Sequence, residues 1–175
     1  RDTFSPTSYL GITSQDWQSA FFAGGYAYVI NDGYHTPHYL LASLGANYTT
    51  PQLTPLPGWD WQRYLGEEVH AACKVIRGYK DTLIAGNLNF YPITAGVPAL
   101  NPSRSSPGTI RISRTAAPGE IPTSWQPALT EAFVEERELS TTSAIMDIVA
   151  LQGTAMVYTT DSIHSIIYDS RGNVS

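Results

Sequence analysis

Short apolar runs, each closed by a cluster of turn-forming residues, follow one another along most of this sequence. The pattern is typical of β-strands, because strand side chains alternate between two faces and tight turns favour Gly, Pro, Asn and Asp. The predicted strands are 26–30, 69–76, 82–88, 109–113, 155–159 and 162–168. In 69–76, one face is expected to carry Val69, Ala71, Cys73 and Val75. The sequence therefore predicts an all-β chain.

Helical periodicity has one weak candidate, residues 127–139. Leu129, Phe133 and Val134 form only a narrow apolar stripe. Three glutamates crowd the end of the segment, where a helix dipole disfavours negative charge. A helix is therefore the less favoured interpretation here.

Three glycines stand in a similar layout: Gly25 before YAYVI, Gly78 before YKDTLIAG and Gly153 before TAMVYTT. Each turn leads into an apolar strand and then a polar turn, as within a four-stranded propeller blade of roughly 40–50 residues. Their unequal spacing predicts loop insertions near 89–108 and 115–142. We therefore expect β-propeller-like antiparallel blades, with residues 1–175 as a single partial domain of a larger propeller protein. A β-sandwich, which has similar hairpins, is the alternative.

The stretch TIRISRTAAPGEIPTSW, residues 109–125, begins as a strand, leaves the strand after residue 113 and ends on a large aromatic residue. Pro118 and Gly119 suit a type II turn, because proline fixes φ and glycine accepts a positive φ. Pro122 favours an extended backbone before it. We expect the Trp125 ring to lie back against the sheet and to fix the excursion in place.

Composition and charge limit the kinds of molecule that this chain is expected to bind. Apolar residues make up 42% of the chain and charged residues 14%, which excludes a disordered chain. The net charge is −5 and the basic residues form no run, so a nucleic-acid-reading face is not expected. The single cysteine, Cys73, excludes an internal disulfide and is expected to be buried. No apolar run approaches ~18 residues, so no membrane-spanning helix is predicted.

Two motifs contain residue types that carry chemistry elsewhere. His35 and His38, in HTPH, lack a third ligand nearby, so the favoured interpretation is two loop imidazoles beside Tyr34 and Tyr39. Residues 161–164, DSIH, contain the residue types of a serine hydrolase but not the G-x-S-x-G elbow. In a strand, Ser162 and His164 would share a face, yet a turn closed by Asp161 and Ser162 is the favoured interpretation. We predict no catalytic, metal-binding or cofactor-binding residues.

Acidic pairs leave a rival hypothesis open, a carbohydrate-binding or glycosidase-type propeller. Adjacent acids on a strand point to opposite faces, so Glu67-Glu68 and Glu135-Glu136 would need partners such as Asp60 or Asp147. The segment GWDWQRY, residues 58–64, offers tryptophans for stacking on a sugar. This rival predicts Trp59 or Trp61 exposed in a cleft with two convergent carboxylates. The structural alternative predicts both tryptophans packed.

Four segments in order resemble a family of tailed-phage virion proteins, called tail tubular protein B, tail nozzle or phage stabilisation protein. They are VINDGYHTPHYL (29–40), the segment that begins LPGWDWQRYLGEEVHAACKV (56–89), GTIRISRTAAPGEIPTSWQP (108–127) and IMDIVALQGTAMVYTTDSIHSIIYD (145–169). The resemblance covers roughly residues 17 to 169, and each segment combines turn chemistry with a strand. Residues 128–144 depart from it, being longer and more acidic than expected.

This resemblance implies a propeller-bearing structural subunit of a short phage tail, not an enzyme. It implies a homo-oligomeric ring, commonly a hexamer, below the portal and adaptor, with DNA passing through its lumen during ejection without sequence-specific binding. The expected location is the virion, after synthesis in the host cytoplasm. The subunit contacts are expected on the inserted loops 89–108 and 115–142, through Phe90, Tyr91 and Trp125.

Overall fold

The described part of the chain is built from antiparallel β-strands, and no helix occurs in it. The computed structural model describes residues 18–22, 27–31, 33, 36–41, 54–59, 69–95, 97–117, 120–125, 135–140, 142–151 and 153–167. The strands are β1 (Gln18–Phe22), β2 (Ala27–Asn31), β3 (His38–Leu41), β4 (Thr54–Pro55), β5 (Val69–Tyr79), β6 (Thr82–Thr94), β7 (Val97–Pro98), β8 (Arg104–Ile112), β9 (Glu135–Glu138), β10 (Ile145–Leu151), β11 (Thr154–Thr159) and β12 (Ile163–Ile167). The predicted all-β class is confirmed. Accordingly, no helix of the described residues is long and apolar enough to cross a membrane.

The strands form three sheets that follow one another along the chain. The first meander is β1-β2-β3-β4, the central meander is β5-β6-β8-β9 with β7 attached to β6, and the last meander is β10-β11-β12. Every pairing is antiparallel. The repeated layout noted in the sequence corresponds to the second strands of these meanders, β2, β6 and β11.

The first strands of the three meanders lie close together. Each is an edge strand of its own sheet, and β5 lies alongside both β1 and β10. None of the sheets formed by the described residues closes on itself. The chain therefore places three successive antiparallel sheets around neighbouring first strands.

The central meander is buried on both faces. One face joins the Trp cluster, formed by Leu56, Trp59, Val69, Ala71, Cys73, Ile76, Leu83, Ala85, Leu88, Phe90 and Trp125. The other joins the aliphatic cluster, formed by Val75, Tyr79, Ile84, Ile110, Ile112, Ile145, Ile148, Ala155, Val157 and Ile166, which also includes the last meander. This double burial explains why β6 is buried continuously from Thr82 to Tyr91, because such a strand has no solvent face to make polar.

The alternation of side chains between the two faces of the sheet shifts by one residue in the middle of β5 and β6. Val69, Ala71 and Cys73 share the Trp cluster as predicted, but Val75 packs on the opposite face and Ile76 takes its place. Asn87 in β6 has a positive φ of 58°, and the pairing of β6 with β8 shifts register between Gly86 and Leu88. A β-bulge of this kind breaks the two-residue period. The predicted face of β5 is therefore right only for its first half.

The predicted loop 89–108 is mostly strand. Residues 89–94 extend β6, and Arg104 begins β8, so only the β7 hairpin and its turns lie between them. The unequal spacing of the glycines suggested a loop here, but Pro92 lies opposite Val69, the first residue of β5, at the end of the β5–β6 pairing. Proline is tolerated at such strand ends.

The end of the helix candidate 127–139 is a strand. Glu135–Glu138 forms β9 and pairs with Thr109–Ile112 of β8, while residues 127–134 lie outside the described part. Leu139 donates its backbone N–H to the Gly108 carbonyl at 2.9 Å. A Cβ atom on Gly108 would lie 1.9 Å from the Ser140 carbonyl oxygen, so this close approach of two backbones requires glycine.

Candidate functional site

The stretch after β8 leaves the sheet and returns to it, as predicted. The Arg114 N–H donates to the Ser124 carbonyl at 3.0 Å, and the Glu120 N–H donates to the Ala117 carbonyl at 2.9 Å. Trp125 then lies fully buried, with 0% of its surface exposed. The expectation that Trp125 packs back against the sheet is confirmed, whereas the conformation of Pro118 and Gly119 lies outside the described residues.

Trp125 packs against a second tryptophan that the sequence analysis did not pair with it. The rings of Trp59 and Trp125 meet edge to face, with centroids 4.7 Å apart. Trp59 donates its indole N–H to the Ala71 carbonyl of β5 at 2.9 Å. The indole N–H of Trp125 has no acceptor among the described residues. The tryptophan pair therefore pins two chain connections onto one face of the central meander.

A tight turn brings Trp59 to this position. Pro57 and a Gly58 with a φ of +69° precede it, and its N–H donates to the Leu56 carbonyl at 3.4 Å, a combination typical of a type II turn. A Cβ atom on Gly58 would lie 2.0 Å from the Thr123 carbonyl oxygen. Residues 57–58 thus show the kind of Pro-Gly turn that was predicted for residues 118–119, at a place where the sequence analysis did not predict one.

The sugar-stacking hypothesis fails at Trp59. That ring is 1% exposed and cannot present a face to a ligand. Of the proposed acids, Glu136 binds Arg111, and Asp147 binds Arg77 at 2.9 Å. Asp60, Trp61, Glu67 and Glu68 lie outside the described residues, as does the side chain of Glu135. The acids that the structure places are engaged in ion pairs that join neighbouring strands.

The DSIH motif forms a hydrogen-bonded turn between β11 and β12. Ser162 Oγ lies 3.0 Å from His164 Nε2, so these side chains share a face as predicted. Asp161, however, accepts hydrogen bonds from the hydroxyls of Ser162 and Thr159, both at 3.0 Å, and from Ser143. A catalytic triad needs the carboxylate on the second nitrogen of the histidine. The motif therefore links the segment just before β10 to the turn before β12 by hydrogen bonds. This agrees with the prediction that Asp161 and Ser162 close a turn.

Stability should depend on the charge of Asp161. The Ser143 hydroxyl, followed by those of Ser162 and Thr159, lowers the pKa of this carboxyl below its ordinary 3.8. A lowered pKa in the folded state stabilises the fold above the unfolded pKa, and that contribution disappears as pH falls through the folded value. In urea unfolding between about pH 6 and about pH 2.5, we expect wild type to exceed Asp161→Asn in stability near neutrality. The two should converge below pH 3.8. A constant difference across this range would contradict the assignment.

Metal ligands do not converge in the described part of the chain. His38 Nδ1 lies 2.7 Å from the Thr36 carbonyl oxygen, and His35 lies outside the described residues. Where the structure describes the chain, no group of three or more His, Cys, Asp or Glu side chains could hold a metal ion. Cys73 is buried in the Trp cluster, as predicted.

The aromatic residues expected to contact neighbouring subunits are internal. Phe90 is 2% exposed and Tyr91 is 6% exposed, and Trp125 is buried as described above. The exposed apolar surface lies elsewhere, on the outer face of the last meander, where Val149, Leu151, Ile163 and Ile167 are exposed. The sequence contained a signal for this face, since apolar residues in 145–151 and 162–168 occupy both odd-numbered and even-numbered positions.

Comparison with known proteins identifies no related protein. No protein-family model and no curated protein matches the sequence. Functional inference therefore depends on the contacts described above and on the resemblance noted in the sequence.

Proposed function

We propose that this chain is a structural subunit of a short phage tail, a nozzle-type protein that forms a ring of identical copies below the portal and adaptor. In this proposal its sheets are blades of a β-propeller, and DNA passes through the lumen of the ring during ejection. The phage assignment comes from the resemblance of the four sequence segments. The proposal of a rigid scaffold comes from the fold.

The arrangement of the first strands is the observation that carries the scaffold proposal. Propeller blades are antiparallel sheets of four strands set around a central channel. The first and central meanders follow that order, and β5 contacts both β1 and β10. The central meander is also packed on both faces, one of them against the last meander and the other within the Trp cluster. These features support blades stacked around an axis over a two-sheet sandwich.

Candidate polar side chains in the part of the chain that the structure describes have structural partners, which supports a role without catalysis. Asp161 and Ser162 close a turn. Glu136 and Asp147 pair with arginines. Trp59, one of the two tryptophans proposed to stack on a sugar, is part of the core. Each of these contacts fixes one element against another.

Charge supports a passage that DNA can traverse without adhering. Nonspecific affinity for DNA comes mainly from Lys and Arg contacts with phosphates, and this chain has a net charge of −5. Arg77 and Arg111 are paired with carboxylates. Lys80 and Arg104 lie over the rings of Tyr79 and Phe90, at 5.3 and 5.7 Å from the ring centroids. Such side chains are less available to hold a phosphate backbone.

Purified virions of the phage that encodes this chain provide the test. Antibodies raised against the 175-residue protein should label the tail by immunogold electron microscopy, and peptide mass spectrometry should find the chain in gradient-purified particles. Antibodies against the major capsid protein serve as the control for label position. Label on the capsid alone, or absence of the chain from purified particles, would refute the proposal.

A further inference from the structure

The last strands of the three meanders differ in how readily each could accept a further strand. These strands are β4, β9 and β12, and each lies at the edge of its sheet. An edge strand presents unpaired backbone N–H and C=O groups, and proteins commonly block such edges with very short strands, proline or charged side chains. An edge that carries none of these features is therefore open to another strand.

Two of the three edges carry blocking features. The strand β4 is two residues long and ends on Pro55, which has no backbone N–H to donate. The strand β9 carries three glutamates and one arginine in four residues. Two such strands side by side would bring glutamates close together, and like charges on facing strands are destabilising. Both edges therefore disfavour the addition of a strand.

The strand β12 carries no such feature. It is five residues long, contains no proline, and has His164 as its single ionisable residue. Within the described part of the chain it pairs with β11 alone. Its sheet has three strands, whereas the first meander has four and the central meander has five. The outer edge of β12 is therefore open to a fourth strand.

Strand pairing identifies the backbone groups at this edge. Thr159 donates its N–H to the Ser162 carbonyl at 2.9 Å, so these two residues form a hydrogen-bonded pair at the start of the β11–β12 ladder. Hydrogen-bonded and non-hydrogen-bonded pairs alternate along an antiparallel ladder. The residues of β12 that direct their N–H and C=O groups away from β11 are therefore Ile163, Ser165 and Ile167.

We propose that two copies of this chain pair in solution through β12, antiparallel and related by a two-fold axis at Ser165. Ser165 then lies opposite the partner's Ser165, and Ile163 lies opposite the partner's Ile167. Each outward N–H and C=O group of these three residues gains a hydrogen-bond partner. The complementary surface is the same edge of the second copy, as in every two-fold contact. The two last meanders thereby join into one continuous antiparallel sheet.

The side chains of β12 match this arrangement. Ile163 and Ile167 are 60% and 51% exposed, and each would cover an isoleucine of the second copy on the same face of the sheet. On the other face, His164 would lie opposite an isoleucine, so no two charges of like sign meet within the paired strands. Asp147 lies two strands away from the edge, on β10, and is bound to Arg77 at 2.9 Å.

This contact is independent of the proposed function. A two-fold contact joins two copies and leaves no further copy of the same edge exposed. A ring would therefore need a second, different surface.

Light scattering after size exclusion tests the contact, over about 1 to about 100 µM protein. We expect wild type to show a monomer–dimer equilibrium. Ser165→Pro should weaken the dimer by ~30-fold or more, because proline removes both hydrogen bonds between the two copies at this position. The β11–β12 pairing does not use this N–H, and an edge strand tolerates proline at such a position. Ser165→Thr keeps the N–H, so it is the matched control and should dimerise like wild type.

Amide hydrogen exchange gives a readout that needs no variant. As protein concentration rises from ~20 to ~500 µM, the N–H groups of Ile163, Ser165 and Ile167 should exchange more slowly, because they become bonded across the contact. The N–H groups of His164 and Ile166 bond to β11 within one chain, so their exchange should change much less. This alternation decides the matter if Ser165→Pro fails to fold by circular dichroism.

Three outcomes would overturn the contact. The first is a wild type that stays monomeric over the whole concentration range. The second is a Ser165→Pro variant that dimerises as strongly as Ser165→Thr. The third is an oligomer in which the three outward N–H groups exchange as fast as in the monomer. None of these results bears on the labelling of virion tails, and a failure of that labelling would leave a dimer through β12 standing.

Discussion

Truncating Trp125 to alanine is expected to lower the free energy of unfolding by ~3–5 kcal/mol, the usual cost of removing a large buried aromatic side chain. The ring is 0% exposed and meets Trp59 edge to face, so the substitution would leave a cavity in the Trp cluster and free the connection from β8. Total stabilities of domains are only ~5–15 kcal/mol. Urea unfolding followed by circular dichroism would measure the loss.

Matched phenylalanine substitutions separate packing from hydrogen bonding. Trp59→Phe removes the donor to the Ala71 carbonyl, and a buried carbonyl left without its partner costs a further ~1–3 kcal/mol. Trp125→Phe removes an indole N–H that has no acceptor among the described residues, so it should cost less than Trp59→Phe. Equal costs for the two would contradict this assignment, and a loss under ~1 kcal/mol for Trp125→Ala would remove Trp125 from the core.

The existence of most strands was predictable, because short apolar runs bounded by turn residues mark them locally. All six predicted strands are present, as parts of β2, β5, β6, β8, β11 and β12. Residues 82–88 lie between two apolar clusters. Ile110 and Ile112 share a face in the aliphatic cluster, which is the two-residue period of a strand. Turn residues and apolar runs carry this information locally.

Bulges hid part of the fold from the sequence pattern. In β10 the register shifts between Ile145 and Asp147, so the two buried isoleucines, Ile145 and Ile148, stand three residues apart. That spacing does not read as a strand. The shift at Asn87 has the same effect within β6. A bulge is fixed by pairing with another strand, which a single sequence does not display.

Long-range contacts explain the remaining differences. The sequence indicated that Trp125 would be buried but not that Trp59 would receive it, because the two residues meet only after the sheets assemble. Likewise, three glutamates in Glu135–Glu138 argue against a strand until Arg111 of β8 lies opposite Glu136. Burial and charge pairing at these sites override local propensity.

The pair formed by Arg111 and Glu136 should respond unequally to loss of either partner. Arg111 Nε donates to Glu136 Oε2 at 2.9 Å, and the second guanidinium contact, from Nη2, reaches the same oxygen. The Arg111 side chain is 5% exposed, whereas the Glu136 side chain is 25% exposed. Removing the carboxylate therefore leaves a buried cation, while removing the guanidinium leaves an anion that water can still reach.

Glu136→Ala is accordingly expected to lower the free energy of unfolding by ~3 kcal/mol, near the lower end of the range for breaking a buried ion pair. Arg111→Met should cost less, about 1 kcal/mol, because methionine retains much of the packing and Glu136 is partly hydrated. Adding Arg111→Met to Glu136→Ala should restore part of the stability lost in Glu136→Ala, since the double variant no longer buries a guanidinium that has lost its Glu136 contacts.

Glu138→Gln is the matched control, because Glu138 lies on the same strand and is exposed, and it should change stability by less than ~0.5 kcal/mol. A double variant less stable than Glu136→Ala would contradict the buried-cation account, since it would show that the guanidinium still stabilises the fold without its carboxylate. Equal effects of the two single variants would mean that water reaches both charges alike. The order of the three variants, measured by urea unfolding at neutral pH, thus decides whether the edge strand β9 is held by this charge pairing.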